Sequence, residues 1–412
     1  MTGDHEHGAQ PAAAGEPPRP SLWELTRYFL RLGALGFGGP VALANAMRRD
    51  LVEDRHWLSE AEYDDGLAIA AACPGPLAYQ LGVYCGYIRH GVVGGLAAAA
   101  GFALAPFLLV TTVAWFYTRL SGMWQLRALF YGIAPVVVSL ILKACWNLGR
   151  KTLRKDLFAW LFFLVSCAIT VIIERELTAL FLVAGALGTV LFAPRDPVPA
   201  PQPAPAPPSP AGSAAAKALV AVPASAAPIA GGVSALTGKI FLFFFKTGLL
   251  VFGSGLVIVP FLKTYIVDQY HWLDNRQFLD SVAIGMISPG PVVITATFVG
   301  FLLNGWAGAT AATIGMFAPA VLLTVLATPL LLRYGRNRRL RGFIRGITVT
   351  VVGVLVGTTF LVGKTALTDW TTAGIAVLSL AVLTLWKRAP EPLLVALGGA
   401  LGIAAHWLPG AS

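Results

Sequence analysis

The sequence predicts an all-α polytopic membrane protein: two homologous halves forming an inverted repeat, with broken or re-entrant helices and about 10–13 membrane segments. Three observations predict it. Only 12% of the 412 residues are Asp, Glu, Lys or Arg while 56% are apolar, too few charges to solvate the exterior of a water-soluble domain. A long segment of the first half recurs in the second, with Gly, Pro, Trp and His in register. The basic residues cluster in loops that share one side of a membrane only if the halves run oppositely. This composition excludes a soluble enzyme, a nucleic-acid binder and a secreted disulfide scaffold. The net charge of +10 is therefore read loop by loop, as topology.

In chain order, residues 1–20 form a polar, Pro-rich tail predicted to be disordered, with His5 and His7 solvated in it. The tail lacks the basic start and apolar core of a signal peptide, so insertion is expected to use the transmembrane helices themselves. Residues 21–193 form the first repeat. Its early pieces, 22–36, 41–52, 61–72 and 77–90, are shorter than a full span and read as broken or re-entrant helices, which are tolerated at membrane depth where protein buries them or they line a cavity. Four longer apolar runs follow at about 93–118, 126–146, 157–173 and 177–193. Residues 194–210 carry nine prolines among Ala, Gln and Ser, which suits a solvated, semi-rigid linker running to residue 235. Residues 236–412 form the second repeat, with long runs at about 307–332, 345–363, 370–386 and 391–408. The cysteines, Cys73, Cys85, Cys145 and Cys167, have no ligand-like spacing and read as small buried hydrophobes.

An offset of 215 places Gly33 on Gly248, Phe37 on Phe252, His56-Trp57-Leu58 on His271-Trp272-Leu273, Asp65 on Asp280, and Pro74-Gly75-Pro76 on Pro289-Gly290-Pro291. Between residues 31 and 76, 14 of 46 positions are identical without a gap, more than shared hydrophobicity aligns, so the chain is a duplication. Beyond the Pro-Gly-Pro the offset is 214. Charge then orients the halves. The loops before the second long helix hold Arg119 and Arg127 in the first half, and Arg333, Arg336, Arg338, Arg339, Arg341 and Arg345 in the second. The loops after it hold Arg150, Lys151, Arg154 and Lys155, against Lys364. Parallel halves would divide these basic residues eight against five; inverted halves divide them ten against three. The positive-inside rule favours inversion. Inversion needs an odd number of crossings per half, or one extra crossing near the linker.

Three motifs carry the chemistry. In Phe37-Gly38-Gly39-Pro40, closely spaced glycines break a helix and the proline suits the first turn of the next. A helix starting there presents unpaired N–H groups and the positive end of its dipole, which suits an anion. The counterpart is Phe252-Gly253-Ser254-Gly255, without the proline. Close helix packing through glycines is the alternative reading, but paired breaks at matching points of two repeats are the usual pointer to a transporter's binding site. In Pro74-Gly75-Pro76 and Pro289-Gly290-Pro291, one helix ends and another begins. Tyr79, Gln80, Ser288, Thr295 and Thr297 are nearby hydrogen-bonding groups for an oxyanion, against the plainer reading of a kink. The third motif, His-Trp-Leu followed by Ser59-x-x-Glu62 or Asp274-x-x-Gln277, reads mainly as helix-starting capping boxes. His56, His271 and the aligned Asp65 and Asp280 are the candidates for carrying a coupling proton. Arg31 and Lys246 align as well, each a cation just before a glycine-rich break, suited either to attracting an anion or to snorkelling; Lys143 reads as a snorkelling cation.

Phe37–Pro40, the His-Trp-Leu segment, both Pro-Gly-Pro motifs and Gly86-Tyr-Ile-Arg-His-Gly91 together resemble the chromate ion transporter (CHR) family in its long, two-domain form. The resemblance covers nearly all the chain outside residues 1–20 and the linker. It implies oppositely oriented halves and export of chromate, a sulfate-like oxyanion, across the bacterial cytoplasmic membrane, conferring chromate resistance. Ser254-Gly255 departs from the family's Gly-Gly-Pro.

The expected function is therefore a secondary transporter of a tetrahedral oxyanion, with no cofactor, no metal and no nucleic-acid partner; a homo-oligomer is compatible with it. No Walker motif is present, so ATP hydrolysis by this chain is not expected. An oxyanion channel or a sulfate-type anion transporter would use the same residues. An intramembrane enzyme acting on a phosphate-bearing lipid would have only Ser288, His56 and Asp65 to draw on, without convincing spacing.

Overall fold

The computed structural model describes residues 18–37, 39–120, 123–153, 156–173, 178–192, 235–253, 255–334, 338–386 and 390–407. Residues 1–17 of the tail, nearly all of the linker, Gly38 and Ser254 lie outside the described residues, as does any extra crossing near the linker.

The first half begins with α1 (Leu22–Leu35), started by a capping box between Ser21 and Glu24. It breaks at Gly36 and resumes as α2 (Gly39–Arg48), which runs on as a π-helical turn over Arg49–Asp54. Gly36 packs near Leu43, and Tyr28 Oη donates to Asp50 Oδ2 at 3.2 Å. Contacts that spread symmetrically from the break mean that α1 and α2 form a hairpin. The next pair does the same. α3 (Glu60–Ala72) leads through Pro74-Gly75-Pro76 into α4 (Leu77–Leu120). Gly66 lies against Tyr84, and the Glu62 carboxylate pairs with Arg89 at 2.5 Å. Pro-Gly-Pro is thus the tip of a hairpin whose base is the Glu62–Arg89 ion pair.

α4 itself reverses at His90 and Gly91, where Gly91 has φ 60° and ψ −147°, a conformation open to glycine but strained for other residues. Gly86 packs on Gly94, so the arms 77–89 and 92–120 are antiparallel. The second half repeats the broken helix, the Pro-Gly-Pro tip and the reversal. α8 (Ala235–Gly248) precedes a helical run over 255–269 that contains α9 (Ile258–Phe261). α10 (Asn275–Ile287) leads through the second Pro-Gly-Pro into α11 (Thr295–Tyr334), which reverses at Asn304 and Gly305 with Gly300 on Gly308. Ring contacts of Phe243 with Tyr265 and Trp272 stand where Tyr28 touches Asp50 and Trp57. One geometry is kept by different chemistry.

Three helices complete each half: α5 (Trp124–Thr152), α6 (Leu157–Ile173) and α7 (Thr178–Leu191), and α12 (Arg338–Ala366), α13 (Trp370–Leu385) and α14 (Glu391–Trp407). They are exchanged between halves. α5 packs on α13 and α14, and α12 packs on α6 and α7. The exchange is reciprocal: Gly132 sits against Gly398 and Gly402, and Gly346 against Ala184 and Gly188. Small residues let the backbones approach closely, which is how helices gain van der Waals contact where lipid removes the hydrophobic drive.

α5 and α12 also cross each other. Gly149 lies beside Val352 and Gly363 beside Val138, so the two helices run antiparallel. Equivalent helices that run oppositely make the halves an inverted repeat. The Arg345–Asp156 ion pair at 2.8 Å joins the start of α12 to the end of α5, the two ends that carry the basic loops. Leu77–Leu120, Trp124–Thr152, Val292–Pro329 and Gly342–Ala366 are long and apolar enough to cross a bilayer. Leu157–Ile173, Trp370–Leu385 and Glu391–Ala405 are shorter apolar helices. Cys73, Cys85 and Cys145 are buried and Cys167 half-buried, all as free thiols.

Candidate functional site

The four hairpin tips meet. The Gly290 N–H donates to the Gly36 carbonyl at 2.8 Å, and the Gly75 N–H donates to the Val251 carbonyl at 2.5 Å. The 215-residue offset converts one bond into the other, so each Pro-Gly-Pro tip seals the broken helix of the opposite half. Gly75–Pro76 (β1) also pairs in parallel with Phe252–Gly253 (β2), with Gly75 opposite Phe252 and Pro76 opposite Gly253. Gly255 packs on Val292 and Val293, joining the two tips of the second half. Pro106 backs Gly290, and its counterpart Ala320 backs Gly75.

At each tip one helix ends and another begins, and the two ends are treated differently. At the ending side the Gly36, Cys73 and Ser288 N–H groups close the last turns of α1, α3 and α10 on the Leu32, Ile69 and Ile284 carbonyls, and Gln80 Nε2 donates to the Pro74 carbonyl at 2.7 Å. The beginning helices, α2 from Gly39, α4 from Leu77 and the helical run from Val292 into α11, point first-turn N–H groups at the same region, and no side chain caps the last of these at Pro291. Amides turned toward one point with the positive ends of helix dipoles behind them form an anion-binding geometry.

The predicted site residues are distributed as follows. Pro40, in the first turn of α2, and Gly39, with φ 77°, are half-buried beside the undescribed Gly38; Gly253 and Gly255 flank the undescribed Ser254. Gly75 and Gly290 have φ 139° and 86°, and Pro76 and Pro291 are buried. A Cβ on Gly75 would stand 2.7 Å from the Gln80 amide, so the tip is built around glycine. The neighbouring hydroxyls are already engaged. Ser288 Oγ donates to Gly285 O at 3.1 Å, Thr295 Oγ1 to Val292 O at 2.8 Å, and Thr297 Oγ1 shares a hydrogen with Thr313 Oγ1 at 2.7 Å. Short hydroxyl side chains on helices reach their own backbone carbonyls readily, which sequence spacing could not foresee. Tyr79 is buried between Phe317 and Phe102, at ring distances of 4.5 and 5.9 Å.

Arg31 and Lys246 are both exposed, each in the turn before its tip. Arg31 lines a groove of about 860 Å³ together with Arg27, Arg49 and Arg55 and the carboxylates Glu24, Asp50 and Asp54, and the groove reaches Gly36 and Phe37 at the tip. The histidines stand elsewhere. His56 and His271 occupy the left-handed region, with φ 53° and 51°, where the chain turns into the capping boxes, and His56 Nδ1 donates to the Val52 carbonyl at 2.8 Å. Those boxes form at Ser59/Glu62 and Asp274/Gln277 as the sequence predicts. Asp65 is half-buried on α3. Asp280 is buried on α10, where Tyr117 Oη donates to Oδ2 at 2.6 Å and Arg276 lies at 4.0 Å. Tyr117 belongs to the other half and its repeat counterpart is Leu331, so the two aligned aspartates have different surroundings. Sequence reasoning missed the carbonyls of Gly36 and Val251 and the Tyr117 contact, because main-chain acceptors and inter-repeat partners leave no mark on composition or spacing.

Hairpins meeting tip to tip between inverted halves, in a chain rich in long apolar helices, define a multi-pass membrane transporter. The chain belongs to the chromate transporter family, whose model matches residues 23–189 and 238–403, one copy in each half. It is 41% identical over 390 residues to a probable chromate transport protein of Synechococcus elongatus, covering 94% of this chain and 96% of that one. It is 40% identical over 394 residues to a chromate transport protein of Cupriavidus metallidurans, covering 94% of each. An uncharacterized transporter of Bacillus subtilis matches over 161 residues, 38% of this chain but 90% of its own length, at 26% identity. No solved structure matches the chain.

Proposed function

We propose that this protein is a secondary transporter that exports chromate across the cytoplasmic membrane and confers chromate resistance. The observation that carries the reading is the reciprocal pair of tip bonds, Gly290 to Gly36 and Gly75 to Val251, around which first-turn amides gather. The names of the relatives supply the cargo. On this reading the tips hold the oxyanion through the main-chain N–H groups of the first helical turns that follow Pro40, Pro76 and Pro291, and Arg31 and Lys246 draw it toward them. Residues 1–20 are a tail and 194–235 a linker between repeats 21–193 and 236–412. The end that carries the Arg345–Asp156 pair and the basic loops faces the cytoplasm.

Coupling to protons would use Asp280, Asp65 or the two histidines. The buried Tyr117–Asp280 contact between halves makes Asp280 the first residue to test. Flux of radiolabelled chromate into inverted vesicles, under separately imposed pH and voltage gradients and with sulfate as competitor, tests the function. Saturable uptake of chromate supports the carrier; unsaturable flux would make the protein a channel, and no flux with folded protein would remove the reading.

A further inference from the structure

One buried polar atom at the tips has no partner. Gln80 is fully buried, one turn into α4 from Pro76. Its Nε2 donates to the Pro74 carbonyl, which fixes the amide's orientation, because the reverse would set oxygen against oxygen. Its Oε1 is the single buried side-chain N or O atom among the described residues without a hydrogen bond. A buried acceptor that has given up water and gained nothing in return destabilises the fold, so it calls for a donor. The position related to Gln80 by the 214-residue offset that holds beyond the Pro-Gly-Pro is Ile294, which has no side-chain acceptor; the unmet acceptor belongs to one tip.

An acceptor is the wrong group for a fully deprotonated oxyanion, whose oxygens also only accept. It is the right group for an oxyanion that keeps one proton. We propose that the tip of the α3–α4 hairpin binds the cargo as a monoprotonated monoanion, with first-turn N–H groups of α4 donating to its bare oxygens and its O–H donating to Gln80 Oε1. This rests on the chromate reading above and deepens it. Chromate takes up a proton close to neutrality, whereas hydrogen sulfate is a strong acid and sulfate stays bare. A site made to receive an O–H rejects an analogue lacking it far more strongly than shape or charge allow, so Gln80 separates two anions of equal shape. When bare chromate binds from alkaline solution, one proton enters with it and comes to rest on a chromate oxygen. The ionisable groups from Asp65 to Cys85 along α3, the tip and the first arm of α4 are Asp65, Cys73, Tyr79, Tyr84 and Cys85, and α1 and α11, which pack on α4, carry Glu24, Arg27, Tyr28 and Arg31, and Arg333 and Tyr334; among the described side chains none donates to Gln80 Oε1.

The test is calorimetry of chromate binding to the full-length protein in detergent at pH 8, repeated in buffers of different ionisation enthalpy. The expected result is uptake of about one proton per anion, an apparent Kd that weakens about tenfold per pH unit above chromate's own titration, and sulfate at least about a hundredfold weaker. Gln80→Leu should abolish the proton uptake and narrow the gap to sulfate. Saturable chromate binding by the unaltered protein without proton uptake overturns the proposal, whether or not the variant folds, and leaves the chromate reading standing. Absence of chromate binding to folded protein overturns the chromate reading itself. Asp280→Asn separates the two carriers of the proton: uptake that survives there and vanishes in Gln80→Leu places it on the anion, and the opposite pattern overturns the proposal.

Discussion

Cys145 on α5 and Thr359 on α12 face each other with Sγ and Oγ1 3.6 Å apart, and the 214-residue offset that relates the halves turns one into the other. A residue in contact with its own repeat counterpart lies on the axis relating the two halves. Because α5 and α12 run antiparallel there, that axis inverts one half with respect to the other.

This contact predicts a crosslink. With Cys73, Cys85 and Cys167 changed to Ala and a protease site placed within 194–235, Thr359→Cys should oxidise to a disulfide with Cys145. After cleavage the halves should stay joined on a non-reducing gel and part on reduction. Halves that separate after oxidation would contradict the antiparallel crossing.

The exchanged helices predict paired costs. Gly132→Val meets Gly398 and Gly402, and Gly346→Val meets Ala184 and Gly188. Each should destabilise the protein by about 1–3 kcal/mol, and by similar amounts, since the contacts are counterparts. Gly374→Ala has open space and should be neutral or stabilising by up to about 1 kcal/mol. Thermal unfolding in detergent measures all three.

The tips predict a graded loss of transport. Gly75→Ala and Gly290→Ala each place a Cβ at positive φ, costing about 1–2 kcal/mol. At Gly75 the new atom would also stand 2.7 Å from the Gln80 amide, whereas at Gly290 the nearest atom, Pro106 Cγ, is 3.1 Å away. Chromate flux in proteoliposomes should fall in both variants and further in the first; equal, undiminished flux would remove the tips from the transport path.

The hairpin bases predict a contrast between two ion pairs. Arg89 and Glu62 have side chains only 9% and 17% exposed, and Arg89 also donates to the Trp57 carbonyl. Arg89→Ala leaves a part-buried carboxylate without its cation, held only by the capping-box hydrogen bonds from Ser59, and should cost about 3 kcal/mol. Arg48 and Glu60 are 46% and 53% exposed, and Arg48→Ala should cost under about 1 kcal/mol. Chemical unfolding of the two variants compares them directly.

The exposed cations predict a charge effect on transport without a fold effect. Arg31→Ala and Lys246→Ala remove charges that stand before the tips and make no ion pair among the described residues. Chromate flux should drop at least about tenfold at low salt, with melting temperature unchanged. Full flux in both variants would show that neither cation serves the anion.

Much of the architecture is legible in the sequence because it follows from local rules. Too few charges for a soluble surface, glycine–proline breaks and capping boxes act over a few residues, and the duplication reports itself by identity. The loop charges anticipated the inversion, because Arg345 and the loop after α5 are sorted by membrane side. The site was legible only in part. The breaks at Gly36 and Gly75 were visible; the bond that joins Gly75 to Val251 was not, since a main-chain carbonyl is the same atom in every residue.

What the sequence by itself determined is therefore the class, the two-fold repetition, the positions of the breaks and the capping of α3 and α10. Only the tertiary structure decided that the broken segments are hairpins, that each tip closes on the opposite half, that Tyr117 reaches Asp280 while Asp65 has no such partner among the described residues, and that Gln80 is left with an unmet acceptor. The physical reason is range. Breaks and caps are settled by neighbours within one helical turn, whereas tip contacts depend on where two inverted halves meet, and no local preference encodes that.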